Sequence, residues 1–122
     1  MSKTILVVED NEDNRRIMRD LLTSAGFEVL EALDGEKGVA AAKANVPDLI
    51  LMDIQLPVFD GYETTRRIKA DPALQAIPII AVTSYALSGD ETKARKAGCD
   101  DYVAKPFSPR ELLAKVRAHL AV

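Results

Sequence analysis

Five short apolar runs alternate along the chain with longer stretches that mix polar and apolar residues, and this alternation leaves few folds open. The runs cover residues 4–8, 27–32, 49–52, 78–83 and 102–104. Apolar runs of this length predict β-strands, and the amphipathic stretches between them predict helices. Strict alternation of strands and helices predicts one parallel sheet with right-handed crossovers and helices on both of its faces.

The composition of the runs also predicts the strand order. The first, third and fourth runs are almost entirely apolar, as strands buried on both faces must be, whereas the second contains Glu28 and Glu31 and the fifth follows Asp101. Charged strands at the two edges give the order 2-1-3-4-5. The fold class is therefore α/β, a flavodoxin-like doubly wound sheet of five parallel strands and five helices in three α/β/α layers. We expect one domain, residues 1–122.

The stretches between the runs contain helix start and end signals. Capping residues stand before the second, third and fifth helices, at Asp34, Asp60 and Ser108. In the first helix, Ile17, Leu21 and Ala25 share one face before Gly26, so we expect that face to pack on the sheet.

Charge and cysteine content exclude several classes of protein. The 16 basic residues against 19 acidic ones give a net charge of -3, which argues against broad binding to nucleic acid. The single cysteine, Cys99, cannot form an internal disulfide, so a reducing cytoplasm fits best. Because no apolar stretch is long enough to cross a bilayer, we expect no membrane insertion.

Functional side chains follow the predicted strands at the points where the strands end. Glu9 and Asp10 follow the first strand, Asp53 ends the third, Thr83 ends the fourth and Lys105 follows the fifth. Ligands of doubly wound sheets bind outside the carboxyl ends of the strands, so these side chains should meet. Two unit charges about 4 Å apart repel by about 4 kcal/mol at an effective dielectric near 20, so three clustered carboxylates need a cation.

The chemistry of this cluster indicates phosphoryl transfer. Oxygen ligands without His or Cys point to a hard divalent cation, and Mg²⁺ fits best because it takes few protein ligands. A nucleophilic carboxylate beside Mg²⁺ is suited to accept a phosphoryl group as an aspartyl phosphate on Asp53. Lys105 and the hydroxyl of Thr83 are then placed to contact other phosphoryl oxygens.

Four motifs, in order along the whole chain, resemble the receiver domains of bacterial response regulators. They occupy residues 7–11, 51–57 together with 60–61, 81–84, and 102–107. The pattern is most similar to stand-alone regulators of the DivK type, although a receiver domain excised from a larger kinase or DNA-binding regulator would look the same. The resemblance implies a phosphorylation-activated switch that receives phosphoryl from a histidine kinase or phosphotransfer protein.

The resemblance also implies roles for single residues. Asp53 is the expected phosphoacceptor, Glu9, Asp10 and Asp53 the expected Mg²⁺ ligands, and the backbone carbonyl of Gln55 a further ligand. A cis peptide is expected at Lys105–Pro106.

A conformational switch is implied at Thr83 and Tyr102. Phosphorylation would draw Thr83 towards the phosphoryl oxygens, and the ring of Tyr102 would turn inward. The fourth helix, expected between Leu87 and Ala97, has few large apolar anchors and many charges, which fits a moving part.

The predicted partners are the phosphodonor and an unknown downstream protein. In the family the first helix meets the donor, and its candidate docking residues here are Arg15, Met18 and Leu22. Charged positions at which DNA-binding members dimerise are similar to Asp100, Asp101, Glu111 and Lys115 here, whereas Glu91 departs from that pattern. The expectation is a monomer or a phosphorylation-dependent homodimer.

Two other classes of protein fit less well. A phosphatase with an aspartate nucleophile needs a second acid where Gln55 stands. A flavin-binding electron carrier needs a phosphate loop rich in glycine and hydroxyl groups, where residues 9–13 are mostly acidic. We therefore expect a regulatory protein that promotes only its own phosphorylation and dephosphorylation, not an enzyme acting on other substrates.

Overall fold

Five parallel strands form a single sheet within residues 2–84 and 90–121, the part of the chain that the computed structural model describes. The strands are β1 Thr4–Val8, β2 Glu28–Ala32, β3 Leu49–Asp53, β4 Ile79–Thr83 and β5 Asp101–Ala104. The helices are α1 Glu12–Ser24, α2 Gly35–Asn45, α3 Gly61–Lys69, α4 Asp90–Ala97 and α5 Pro109–Leu120. The order β2-β1-β3-β4-β5 confirms the predicted topology and fold class.

The sheet separates the core into two clusters because successive side chains of a strand point to opposite faces. In β1, Ile5 and Val7 face one cluster, while Leu6 and Val8 face the other. We call these the α1–α5 cluster and the α2–α4 cluster, after the helices that cover them. Helix residues of the first include Met18, Leu22, Leu112 and Val116, and those of the second include Ala42, Ile68 and Ala94.

The predicted caps are present, and they fix where three helices begin. The side chains of Asp34, Asp60 and Ser108 each accept a hydrogen bond from the backbone amide three residues on. Asn11 caps α1 in the same way. The predicted start of the fourth helix at Leu87 lies outside the described residues, and the buried residues of α4 are Ala94 and Ala97.

Helix α1 is rotated relative to the sequence prediction. Met18 and Leu22 are 1% and 0% exposed, whereas Ile17 is 53% exposed. The stripe that packs on the sheet therefore runs through Met18, Leu21, Leu22 and Ala25, at helical spacing, and Ile17 lies at its border. The prediction that Met18 and Leu22 form a docking surface is wrong, because both side chains are inside the core.

Within the described residues, no helix is both long and apolar enough to span a bilayer.

Candidate functional site

Three carboxylates meet at the carboxyl edge of the sheet. Glu9 and Asp53 are buried and Asp10 is exposed, and one oxygen from each lies within 4.8 Å of the others. Glu9 and Asp10 form the turn from β1 into α1, and Asp53 is the last residue of β3, the neighbouring strand. The three acids thus lie together, as their positions at the strand ends predict.

Lys105 supplies positive charge to the two buried acids. Its Nζ is 2.8 Å from Oε1 of Glu9 and 3.4 Å from Oδ2 of Asp53. The backbone amide of Lys105 donates to the carbonyl of Thr83 at 2.7 Å, which ties the residue to the end of β4. The peptide between Lys105 and Pro106 is cis, as the resemblance implies.

Burial and charge shift the pKa values of this group in a consistent way. Burial, followed by contact with Asp53, raises the pKa of Glu9, and hydrogen bonds from Lys105 and the Asn11 amide do not cancel that effect. Burial alone would lower the pKa of Lys105, but its contacts with Glu9 and Asp53 outweigh burial and raise it. The cluster thus holds three carboxylates and one ammonium, which contacts two of them, and a further cation would relieve the excess negative charge.

The loop after β3 holds Asp53 in place. The amide of Gln55 donates to Oδ1 of Asp53 at 3.1 Å, and the amide of Gly61 donates to the carbonyl of Ile54 at 2.9 Å. A Cβ at Gly61 would overlap the carbonyl of Asp53, so only glycine permits this close approach. The predicted role of the Gln55 carbonyl as a metal ligand stays a prediction.

The two residues of the expected switch lie on adjacent strands. Thr83 is buried at the end of β4. Tyr102 in β5 is partly buried and packs against the α2–α4 cluster. Their positions are compatible with the proposed coupling, and the movement itself stays a prediction.

The residues present fit a magnesium ion. All three candidate side chains offer carboxylate oxygen, the donor that Mg²⁺ prefers, and the exposure of Asp10 leaves the cluster open on one side. A site open to water suits this ion because it retains several water ligands.

The sequence does not predict two interactions, one at the carboxyl edge of the sheet and one at its amino edge. Arg15 was assigned to partner docking, yet its side chain is only 15% exposed and binds the carbonyls of Glu9 and Asp10. The second joins α5 to β5: the Nε2 of His119 is 3.0 Å from Oδ2 of Asp101. Arg15 is six and five residues from the carbonyls that it binds, and His119 is 18 residues from Asp101. Neither spacing is a periodic signal in the sequence.

An apolar groove of about 310 Å³ lies beside Lys105. Its walls include Ile17 from α1 together with Pro106 and Phe107 from the loop after β5. The groove therefore borders the acidic cluster and contains the one large apolar side chain that α1 exposes among the described residues.

The chain belongs to the response regulator receiver domain family, whose family model matches residues 5–117. Members of this family act as phosphorylation-activated switches in two-component signalling. The polar-differentiation response regulator DivK of Brucella ovis is 42% identical over 120 residues, which is 98% of each chain. The predicted similarity to regulators of the DivK type is thereby confirmed.

Solved structures agree with this assignment. The receiver domain of a sensor histidine kinase from Pseudomonas aeruginosa has a TM-score of 0.94 at 40% identity, over 100% of both chains. That protein has a magnesium ion coordinated in its active-site cleft. The chemotaxis protein CheY4 of Vibrio cholerae has a TM-score of 0.93 at 27% identity, over 98% of this chain and 100% of that one.

Proposed function

We propose that this receiver domain is phosphorylated on Asp53, with Mg²⁺ held by Glu9, Asp10, Asp53 and the carbonyl of Gln55. The observation that carries the proposal is the convergence of three carboxylates and one ammonium, with oxygens within 4.8 Å of one another and Lys105 3.4 Å from Asp53. When bound, the metal would offset the charge of the carboxylates and of the incoming phosphoryl group.

The residues of the chain have distinct parts in the reaction. An oxygen of Asp53 attacks the phosphorus of a phosphohistidine or an acyl phosphate, an O–P bond forms, and the bond to the imidazole nitrogen or acyl oxygen breaks with its electron pair going to the leaving group. Lys105 holds a phosphoryl oxygen as a point charge, and the Thr83 hydroxyl donates a hydrogen bond to another. Water later hydrolyses the acyl phosphate.

Labelling with acetyl phosphate tests this mechanism. We expect a phosphoryl group that hydroxylamine releases, that forms only with Mg²⁺, and that is absent from Asp53→Asn. The matched control is Asp13→Asn, because Asp13 is also acidic but its side chain is 79% exposed and pairs with Arg16. Equal labelling of Asp53→Asn, or labelling in excess chelator, would refute the proposal.

The groove formed by Ile17, Pro106 and Phe107 is the proposed docking surface for the phosphodonor, in place of the buried Met18 and Leu22. A histidine kinase or phosphotransfer protein seated there would bring its phosphohistidine to Asp53 through the side of the cluster next to Lys105. Ile17→Glu should slow transfer from such a donor and leave labelling by acetyl phosphate unchanged. Loss of both reactions would show that the substitution damages the site itself.

The output is proposed to be a changed protein-binding surface, created when Thr83 moves towards the phosphoryl group and Tyr102 turns inward. The predicted homodimer has weaker support than the monomer, because Asp101 is already paired with Lys115 and His119 of the same chain. Light scattering before and after phosphorylation decides between the two states. A cytoplasmic location is proposed as well, and the buried, unpaired thiol of Cys99 fits a reducing compartment.

A further inference from the structure

Arg15 lies beneath the turn that carries two of the candidate metal ligands. Its Nη1 donates to the carbonyl of Glu9 at 3.1 Å and to the carbonyl of Asp10 at 3.3 Å. Its Nε donates to Oε1 of Glu31 at 3.2 Å. One guanidinium therefore connects the turn after β1 with the exposed edge strand β2.

The neighbouring arginine of α1 has no such contacts. The side chain of Arg16 is 59% exposed and, among the described residues, pairs only with Asp13 of its own helix, at 3.3 Å. Arg19, one helical turn beyond Arg15, also contacts Glu31, at 3.3 Å, and so helps to fix that carboxylate. The contacts of Arg15 thus follow from its place on the helix and do not extend to every arginine of α1.

The other described contacts of the turn hold the amides of Glu9 and Asn11 and the Glu9 side chain, and they leave the carbonyls of Glu9 and Asp10 to Arg15. The Glu9 amide donates to Ala32 at 3.0 Å, and the Glu9 side chain binds Lys105 and the Asn11 amide. Among the described contacts, the carbonyls of Glu9 and Asp10 are both held by Arg15. The direction of those two peptides decides where the Asp10 carboxylate points.

We propose that Arg15 is a positioning residue for divalent-cation binding: it fixes the Glu9–Asp10 turn, and Glu31 orients its guanidinium. This inference rests on the proposed function, since it concerns the same metal site. The planar guanidinium suits the task because it donates in several fixed directions at once, which a lysine ammonium on a flexible stem cannot reproduce. Groups that orient metal ligands typically change metal affinity about 10-fold to 100-fold when they are removed.

Simple electrostatics predicts the opposite result. Arg15 is a cation close to a site for another cation, so its removal would tighten Mg²⁺ binding if charge alone mattered. A purely structural role would lower the free energy of unfolding and leave the affinity of the folded protein unchanged. Weaker Mg²⁺ binding after removal of Arg15 therefore indicates positioning, tighter binding indicates a charge effect, and unchanged binding indicates a purely structural role.

The experiment is a Mg²⁺ titration of folded protein at physiological ionic strength. Calorimetry and the backbone amide NMR signals of the turn both measure the dissociation constant. We expect Arg15→Met to raise the dissociation constant about 10-fold, Arg15→Lys to raise it as well, and the control Arg16→Met to leave it unchanged. Urea unfolding of each variant measures stability separately, and if Arg15→Met does not fold, Arg15→Lys decides the question.

An unchanged or lower dissociation constant in the folded Arg15 variants would overturn the inference. Failure of the unsubstituted protein to bind Mg²⁺ would instead refute the proposed metal site, so the two failures are distinguishable.

Discussion

Replacing the phosphoacceptor with its neutral isostere should stabilise the protein when no metal is present. One oxygen each of Glu9 and Asp10 lies no farther than 4.8 Å from an Asp53 oxygen, and at that limiting distance each pair repels by about 3.5 kcal/mol at an effective dielectric of 20. Lys105, 3.4 Å away, attracts Asp53 by about 5 kcal/mol on the same scale. The net interaction of Asp53 with its charged neighbours is therefore repulsive by about 2 kcal/mol.

We expect Asp53→Asn to gain about 2 kcal/mol of unfolding free energy in buffer containing a chelator. Asparagine has the same shape and still offers an oxygen to the Gln55 amide, so packing changes little. At a Mg²⁺ concentration 100 times the dissociation constant, binding stabilises the unsubstituted protein by about 2.7 kcal/mol. The variant, with one carboxylate fewer, gains less, and the order of stability should reverse.

Urea unfolding followed by circular dichroism at pH 7, with chelator and with Mg²⁺, measures both differences. Asp13→Asn is the matched control and should change stability by no more than about 0.5 kcal/mol in either buffer. Two results would refute the conclusion that the site has excess negative charge that a cation neutralises. One is a lower free energy of unfolding for Asp53→Asn in chelator, and the other is an equal increase in both buffers.

Three further substitutions test other parts of the structure. Gly61→Ala should lower the free energy of unfolding by about 2 kcal/mol and slow labelling by acetyl phosphate, because its Cβ would overlap the Asp53 carbonyl and lie 2.7 Å from Cα of Ile54. Gly26→Ala is also strained, because Gly26 has φ 94°, but no atom lies within 4 Å of its Cβ, so the labelling rate should be unchanged. Val58→Gly should raise the urea midpoint by relieving about 1 kcal/mol of backbone strain, since Val58 has φ 74° and is 66% exposed. Val58→Ala keeps the strained backbone and should raise the midpoint less. Burial would raise the pKa of Asp101, but hydrogen bonds from His119, Lys115 and the Tyr102 amide outweigh it and lower the pKa. The stabilisation by Asp101 is therefore present at neutral pH and lost as the pH falls, so Asp101→Asn should cost about 1 kcal/mol at pH 7 and the difference should disappear in acid unfolding series well below pH 3.9.

The sequence was sufficient for the sheet and for the side chains that end its strands. Charges in β2 and at the start of β5 marked the two edges, and once the order was set, parallel strands could only bring Glu9, Asp10 and Asp53 to one end. This success has a physical reason: strand ends are determined by topology, and topology follows from a pattern that spans the whole chain.

Helix α1 shows where that reasoning stops. Leu21 and Ala25 pack against the core, but Ile17 does not. Successive residues of a helix are about 100° apart around its axis, so the sequence leaves it ambiguous which residues form the border of an apolar stripe. The contact of Arg15 with Glu31 depends on that rotation and on a pairing 16 residues apart. Long-range side-chain pairs of this kind leave no periodic trace in the sequence.

The division of the core by the sheet bears on how such a domain can diversify. The α1–α5 cluster lies behind the proposed donor-docking face, and the α2–α4 cluster lies behind α4. Substitutions at sites that are far apart and share no neighbours change stability almost additively. The effects of substitutions around α1 and around α4 on the free energy of unfolding should therefore add, so the donor-docking face can change while the packing behind α4 stays as it is.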